Sequence, residues 1–161
     1  MDKQVINLLS AVGVAGALYL GFGAFAGAQI ASGPEAQVKE REQTMKSLGA
    51  SMATTAKFIK GEGGSAEDVL KAAMTIVEVG KRDPAAVFPE GTGVGVGESE
   101  AKPEIWQNFG EVTKRWQALE PAGVKLAEVA PSGDKAAIGQ AMQALGRTCS
   151  NCHEDFRVKK N

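Results

Sequence analysis

Two thiols separated by two residues and followed at once by an imidazole form one compact set of reactive groups near the end of this chain. Cys149-Ser150-Asn151-Cys152-His153 contains the only two cysteines and the only histidine among 161 residues. On a helix, Cys149 and Cys152 stand about one turn apart on the same side, with His153 four residues after Cys149. C-x-x-C-H is the spacing at which two thiols add across the haem vinyl groups and the following imidazole takes the iron. The motif therefore reads as the attachment site of one covalent haem c. Other chemistries are open to a cysteine pair, but each lacks something here. A zinc site would want a fourth protein ligand, and a thioredoxin-like pair would want a βαβ context. A structural disulfide leaves the adjacent lone histidine unexplained.

The elements that must position these groups are helical. Ala, Lys, Glu, Leu and Met abound while aromatics are only 6% of the chain, which is helix-forming material. After Pro34, apolar residues recur at steps of three and four in four segments, the period of an amphipathic helix. The first reads Val38, Arg41, Met45, Leu48, Met52, Thr55/Ala56, Ile59 and stops at Gly61. The second opens at Ser65, an N-cap with Asp68 three residues on, and continues Val69, Ala72/Ala73, Ile76, Val79 to Gly80. The third starts with Pro103 in its first turn and reads Ile105, Phe109, Val112, Trp116, Leu119. Pro121 must kink or break it before Val124/Leu126 and Val129 resume. The fourth reads Ile138, Met142, Leu145, Cys149, Cys152, Phe156, so both cysteines fall on the buried face. These stripes predict an all-α, antiparallel four-helix bundle with the haem in its core.

The connection over residues 81–102 contains Gly91-Thr92-Gly93-Val94-Gly95-Val96-Gly97. No strand precedes it and no Gly-Lys-Ser/Thr follows, so a nucleotide loop is a weak reading. A flexible link between the second and third helices is the expectation.

Residues 4–34 carry no charge, and apolar side chains with Gly and Ala fill most of the stretch. As a signal peptide, residues 1–28 would have Lys3 in the n-region and Ala26-Gly27-Ala28 before a cut at Gln29. As an uncleaved anchor, residues 5–28 are long enough to cross a bilayer. Either way residues 29–161 form the haem domain, delivered to the periplasm or tethered at the inner membrane. The net charge is −1 with acids and bases dispersed, which gives no electrostatic case for a nucleic-acid partner.

Several motifs together resemble the cytochrome c′ family. Cys149-x-x-Cys152-His153-x-x-Phe156-Arg157 matches that family's ending. Phe88-Pro89-Glu90-Gly91-Thr92 resembles its second crossover, Lys102-Pro103-Glu104-Ile105-Trp106 its third-helix start, and Arg41-Glu42-Gln43-Thr44-Met45-Lys46-x-x-Gly49 its first helix. The likeness runs from about Pro34 to Lys160. It implies a periplasmic haem protein, often a homodimer through its first two helices. It also implies a division over the iron's sixth position, which lies four residues after the first-helix Arg. Where that residue is a bulky apolar wall the iron is five-coordinate, high-spin and binds NO or CO. Where it is a ligating Met the protein is low-spin and carries electrons. Here that position is Met45. A soft, neutral thioether favours ferrous iron and suits electron transfer.

The remaining candidates are charged. Arg41 interrupts an apolar stripe, where an unpaired charge is costly; a haem propionate is one partner for its fork, and snorkelling to solvent is the alternative. Arg157, one turn after His153, either covers the proximal haem face or belongs to the solvated tail. Met52 and Met142 read as core. Trp116 reads as core or haem wall, and Trp106 as a haem-edge or subunit contact. The expected function is an exported monohaem electron carrier with His153 and Met45 on the iron, serving redox partners of an exported electron-transport chain. The alternative is a five-coordinate module binding NO or CO. No distal histidine or acid pair is available for proton transfer, so the chain does not read as an enzyme.

Overall fold

The computed structural model describes residues 33–159; the leader over residues 1–28, whether signal or anchor, lies outside them. Helix α1 spans Pro34–Lys60, α2 Ala66–Gly80, the short α3 Pro84–Val87, α4 Glu104–Gln107, α5 Phe109–Gln117, α6 Leu119–Val129 and α7 Lys135–Phe156. A 3₁₀ turn, Ala130–Ser132, joins the last two. Helix α1 packs on α2, α2 on α6, α6 on α7, and α7 back on α1, which closes the four-helix bundle. Among the described residues no helix is long and apolar enough to cross a membrane.

Local chemistry sets the ends. Gly61 takes the left-handed conformation at φ 76° and returns its amide to the last carbonyls of α1, a geometry that favours glycine. Ser65 and Asp68 form a reciprocal capping box at α2. Asp134 accepts from the amides of Ala136 and Ala137 at the start of α7.

The third limb differs from its prediction. It is divided into α4, α5 and α6 by Asn108, whose φ −125° and ψ 38° leave the helical region, and by a break at Ala118. Pro121 is the third residue of α6, where an amide would have no intrahelical acceptor, so it needs no kink of its own. On α6 Gly123 is buried along with Leu119 and Leu126, while Val124 is 39% exposed. The connection over residues 88–101 is also not a loose link. Val94 donates to Ala101 O, Val96 to Gly93 O and Ser99 to Val96 O. Thr92 is fully buried within it, and Trp106 donates to Phe88 O at 3.1 Å. Trp106 thus packs on this loop, where a Cβ at Gly93 would lie 3.0 Å from the indole.

The core runs through Val69, Ile76, Val112, Leu126, Ile138 and Leu145, each almost wholly buried. Burying such side chains contributes about 1.5–3 kcal/mol each. Against α2, helix α1 turns small hydroxyl residues rather than large apolar ones: Thr44, Ser51 and Thr55 are buried and donate to Glu40 O, Ser47 O and Ser51 O on their own helix.

Candidate functional site

The large apolar residues of α1 face elsewhere. Met45, Leu48 and Met52 line a cavity of about 490 Å³ bounded also by Val112 and Trp116 of α5 and by Cys149, Cys152 and His153 of α7. That volume lies within the range of sites that take a single organic ligand. Three helices supply most of it, and Phe88, residues 98–101, Ile105 and Leu119 complete the wall. α1 supplies one thioether-rich wall, α5 supplies Trp116, and α7 presents both thiols and the imidazole on one side.

The two sulfurs are unbonded and half-buried. Burial pushes both thiols above their ordinary range, with Arg115 pulling Cys152 part of the way back. Burial pushes His153 down, Arg157 adds to that effect, and Glu100 opposes it. A neutral imidazole keeps the lone pair that a metal needs. Among the described residues, no group of three or more His, Cys, Asp or Glu side chains is placed to hold a bare metal ion.

The chain belongs to the cytochrome c′ family. The family profile, described as cytochrome C', matches residues 36–157. The chain is 38% identical over 124 residues to a cytochrome c′ of Pararhodospirillum photometricum, covering 77% of this chain and 98% of that protein. It is 36% identical over 125 residues to cytochrome c-556 of Agrobacterium tumefaciens (strain B2A), again 77% and 98%. Among solved structures, a cytochrome c′ with an unusual ligand-controlled dimer dissociation superposes with a TM-score of 0.71 at 32% identity, covering 78% of this chain and 97% of that one.

Cytochromes c′ carry one covalent haem c and are periplasmic proteins that bind gases or carry electrons. The cavity fits that group on its own terms. It is lined mostly by apolar side chains, it has two thiols and an imidazole on one wall, and cations stand at its margin.

Those cations are placed differently from one another. Arg41 does not snorkel; it is 7% exposed. Nη1 donates to Thr92 Oγ1 at 2.7 Å, and Nη2 donates to Thr92 O at 2.7 Å and Ser99 Oγ at 2.9 Å. Its guanidinium lies 5.5 Å from the centre of the Phe88 ring, and burial lowers its pKa. Arg157 is exposed and 3.7 Å from Glu100, with its backbone bridged to Ala101. Val158 donates to Glu100 O and Lys102 to Phe156 O, so the residues after α7 are fastened to the loop end. Trp116 is both core and cavity wall: it is 3% exposed, donates to Arg82 O at 2.9 Å and meets Phe88 edge-on at 5.7 Å.

Met52 packs against the core and also lines the cavity, and Met142 is only half-buried. Arg115, Thr92 and Ser99 were not singled out by sequence reasoning. Arg115 shows in sequence only as an i+4 partner of Glu111 and the neighbour of Trp116. No local pattern marks Thr92 and Ser99 as partners of a residue more than fifty positions earlier.

Proposed function

We propose that this chain is an exported electron carrier in which Cys149 and Cys152 hold a haem c covalently, His153 is the proximal ligand and Met45 the distal one. The observation that carries the reading is that Met45 of α1 and His153 of α7 line one cavity, which is otherwise walled mainly by apolar side chains. When bound, haem supplies an iron that passes one electron between ferric and ferrous states. The chain's own residues do the rest. The thioether and imidazole are neutral donors that favour the ferrous form. Leu48, Val112 and Trp116 give the site an apolar wall. Arg41 is bonded to neutral oxygens of the loop and brings to the wall a positive charge that a propionate would balance. Arg157 lies near His153, paired with Glu100 at the end of the same loop.

The rival reading is a five-coordinate iron that takes up NO or CO beside an unligated Met45. It is supported by the apolar distal wall and by the relative whose dimer dissociates under ligand control. That relative also supports a homodimer for this chain. Residues 1–28 act in either case as the export signal, or residues 5–28 as a tether, and redox partners meet the domain outside the cytoplasm.

Spectra of the purified protein separate the two. Ligation by Met45 gives a low-spin protein in both states that binds CO slowly. Met45→Leu then becomes high-spin, binds CO readily and has a lower potential. Met142→Leu leaves the spectrum alone. A wild type that is already high-spin and is unchanged by Met45→Leu establishes the gas-binding form.

A further inference from the structure

Arg115 has no part in either reading, yet it touches the haem-bearing turn more closely than any other cation of α5. From α5 its Nε donates to Glu111 Oε1 at 3.0 Å, one turn back on the same helix. Nη1 crosses to α7, donating to the backbone oxygen of Asn151 and pairing with Asp155 Oδ2 at 2.7 Å. The guanidinium also sits 5.1 Å from the centre of the Phe156 ring. Asn151 lies between the two cysteines, and Asp155 is one turn further on. The two α7 contacts therefore straddle His153, two residues before it and two after it.

The position matters because of what lies between these helices. Val112, Arg115 and Trp116 on one side and Cys149, Cys152 and His153 on the other all border the cavity. Beside the apolar packing of Val112 and Trp116 with Leu145 and Phe156, Arg115 adds a polar bridge between the two walls at the cavity edge. The motif occupies the last two turns of α7, whose end is fastened to the loop by Lys102 and Val158 but whose flank toward α5 is bridged by Arg115. The arginine fork is planar and bonds in three directions at once, which an ammonium on a flexible stem does not reproduce.

We propose that Arg115 is a positioning residue that holds the Asn151–Asp155 turn against α5 and so sets the placement of the His153 ring beneath the iron. This rests on the reading that Cys149, Cys152 and His153 carry the haem. Arg115 acts through the backbone carbonyl and the carboxylate that flank the ligand, not by contact with iron.

The test uses the ferric holoprotein and the electron paramagnetic resonance g-values, which report the orientation and order of the axial imidazole in either spin state. Arg115→Lys keeps the charge and loses the fork; Arg115→Gln loses both. A positioning role predicts shifted and broadened g-values in both variants, with the lysine form moved nearly as far as the glutamine form. A shift in Arg115→Gln alone assigns the residue to charge and overturns the proposal. Unchanged g-values in both, with only a lowered melting temperature, reduce Arg115 to a stabilising contact and also overturn it. Should neither variant retain haem, Asp155→Ala removes one acceptor at the surface; a smaller shift of the same sign supports the proposal, and unchanged g-values overturn it. A wild type without covalent haem defeats the parent reading instead, and this one with it.

Discussion

The two sides of the bundle solve opposite problems with the same helical period. On the α2–α6 side the helices close until no space remains. A Cβ at Gly123 would lie 3.0 Å from Val77 Cγ2 and 3.1 Å from both Ile76 Cγ2 and Val77 N, and one at Gly80 would lie 2.6 Å from Glu120 N. Ala72 and Ala73 are buried on the same helix. On the side shared by α1, α5 and α7 a cavity separates the helices, and the sulfur-bearing wall residues Met45, Met52, Cys149 and Cys152 are only half-buried. Close packing where side chains are smallest, and an opening where they carry sulfur, show that the gap is built by residue choice.

The largest effect expected from breaking this contrast lies on the open side. Cys149→Ala with Cys152→Ala should abolish covalent haem, while each single change leaves haem on one thioether. Denatured wild type should keep its haem through acid-acetone extraction and the double variant should release it. Release by the wild type would remove the attachment reading. Circular dichroism of the double variant should still show the helices, because the α2–α6 seam does not touch the motif.

The closed side should respond in stability alone. Gly123→Leu forces atoms against the Val77 backbone, which cannot yield as a side chain can, and should cost about 3 kcal/mol in urea unfolding of the holoprotein. The absorption spectrum of the folded fraction should stay as in the wild type. A loss below about 1 kcal/mol would show that α6 slides away freely, contrary to the tight seam.

This contrast also explains what could be read in advance. The first, second and fourth stripes, the Ser65–Asp68 cap and the C-x-x-C-H motif are local patterns, and each appears at its place in the fold, whereas the third stripe is divided. Gly123 was invisible because a glycine adds nothing to an apolar period, although the period pointed to Val124 beside it. The break at Ala118 was drawn to Pro121 because proline is the audible signal, whereas the chain had already turned one residue before α6. Met52 packs against the core as its stripe indicates and also faces the cavity; a stripe cannot say whether the facing space is filled by protein or left for a ligand. The order of residues 88–101 comes from their own backbone bonds and from Arg41 and Trp106, and contacts across such separations leave no periodicity to detect.

Thr92 connects the loop to the cavity side and should show an intermediate effect. It donates to Pro89 O at 2.7 Å while accepting from Arg41. Thr92→Val leaves one guanidinium donor without its hydroxyl and should cost about 1–2 kcal/mol. Amide exchange should quicken over residues 88–101 and stay unchanged in α2 and α6. Equal quickening everywhere would mean that the loop is not an independent clasp on the cavity wall.

The smallest effect is expected at the start of α2, far from the thiols in sequence and fully exposed. Ser65→Ala should cost about 1 kcal/mol at neutral pH. The Asp68 carboxyl is held below its ordinary range first by the Ser65 side chain and then by the Ser65 amide. A carboxyl with a depressed folded value stabilises the fold above its unfolded value and loses that contribution as pH falls through the folded one. The gap between wild type and Ser65→Ala should therefore be full at pH 7 and narrow below about pH 4, the ordinary carboxylate range. What remains at low pH is the hydroxyl's bond to the Asp68 amide, which does not titrate. The comparison is urea unfolding of both proteins at the two pH values, followed by the haem band and by far-ultraviolet ellipticity. A gap that is constant with pH would show that the carboxylate adds nothing to the cap. A haem band that differs between the two native proteins would show that α2 and the cavity are coupled, against the independence of the two sides.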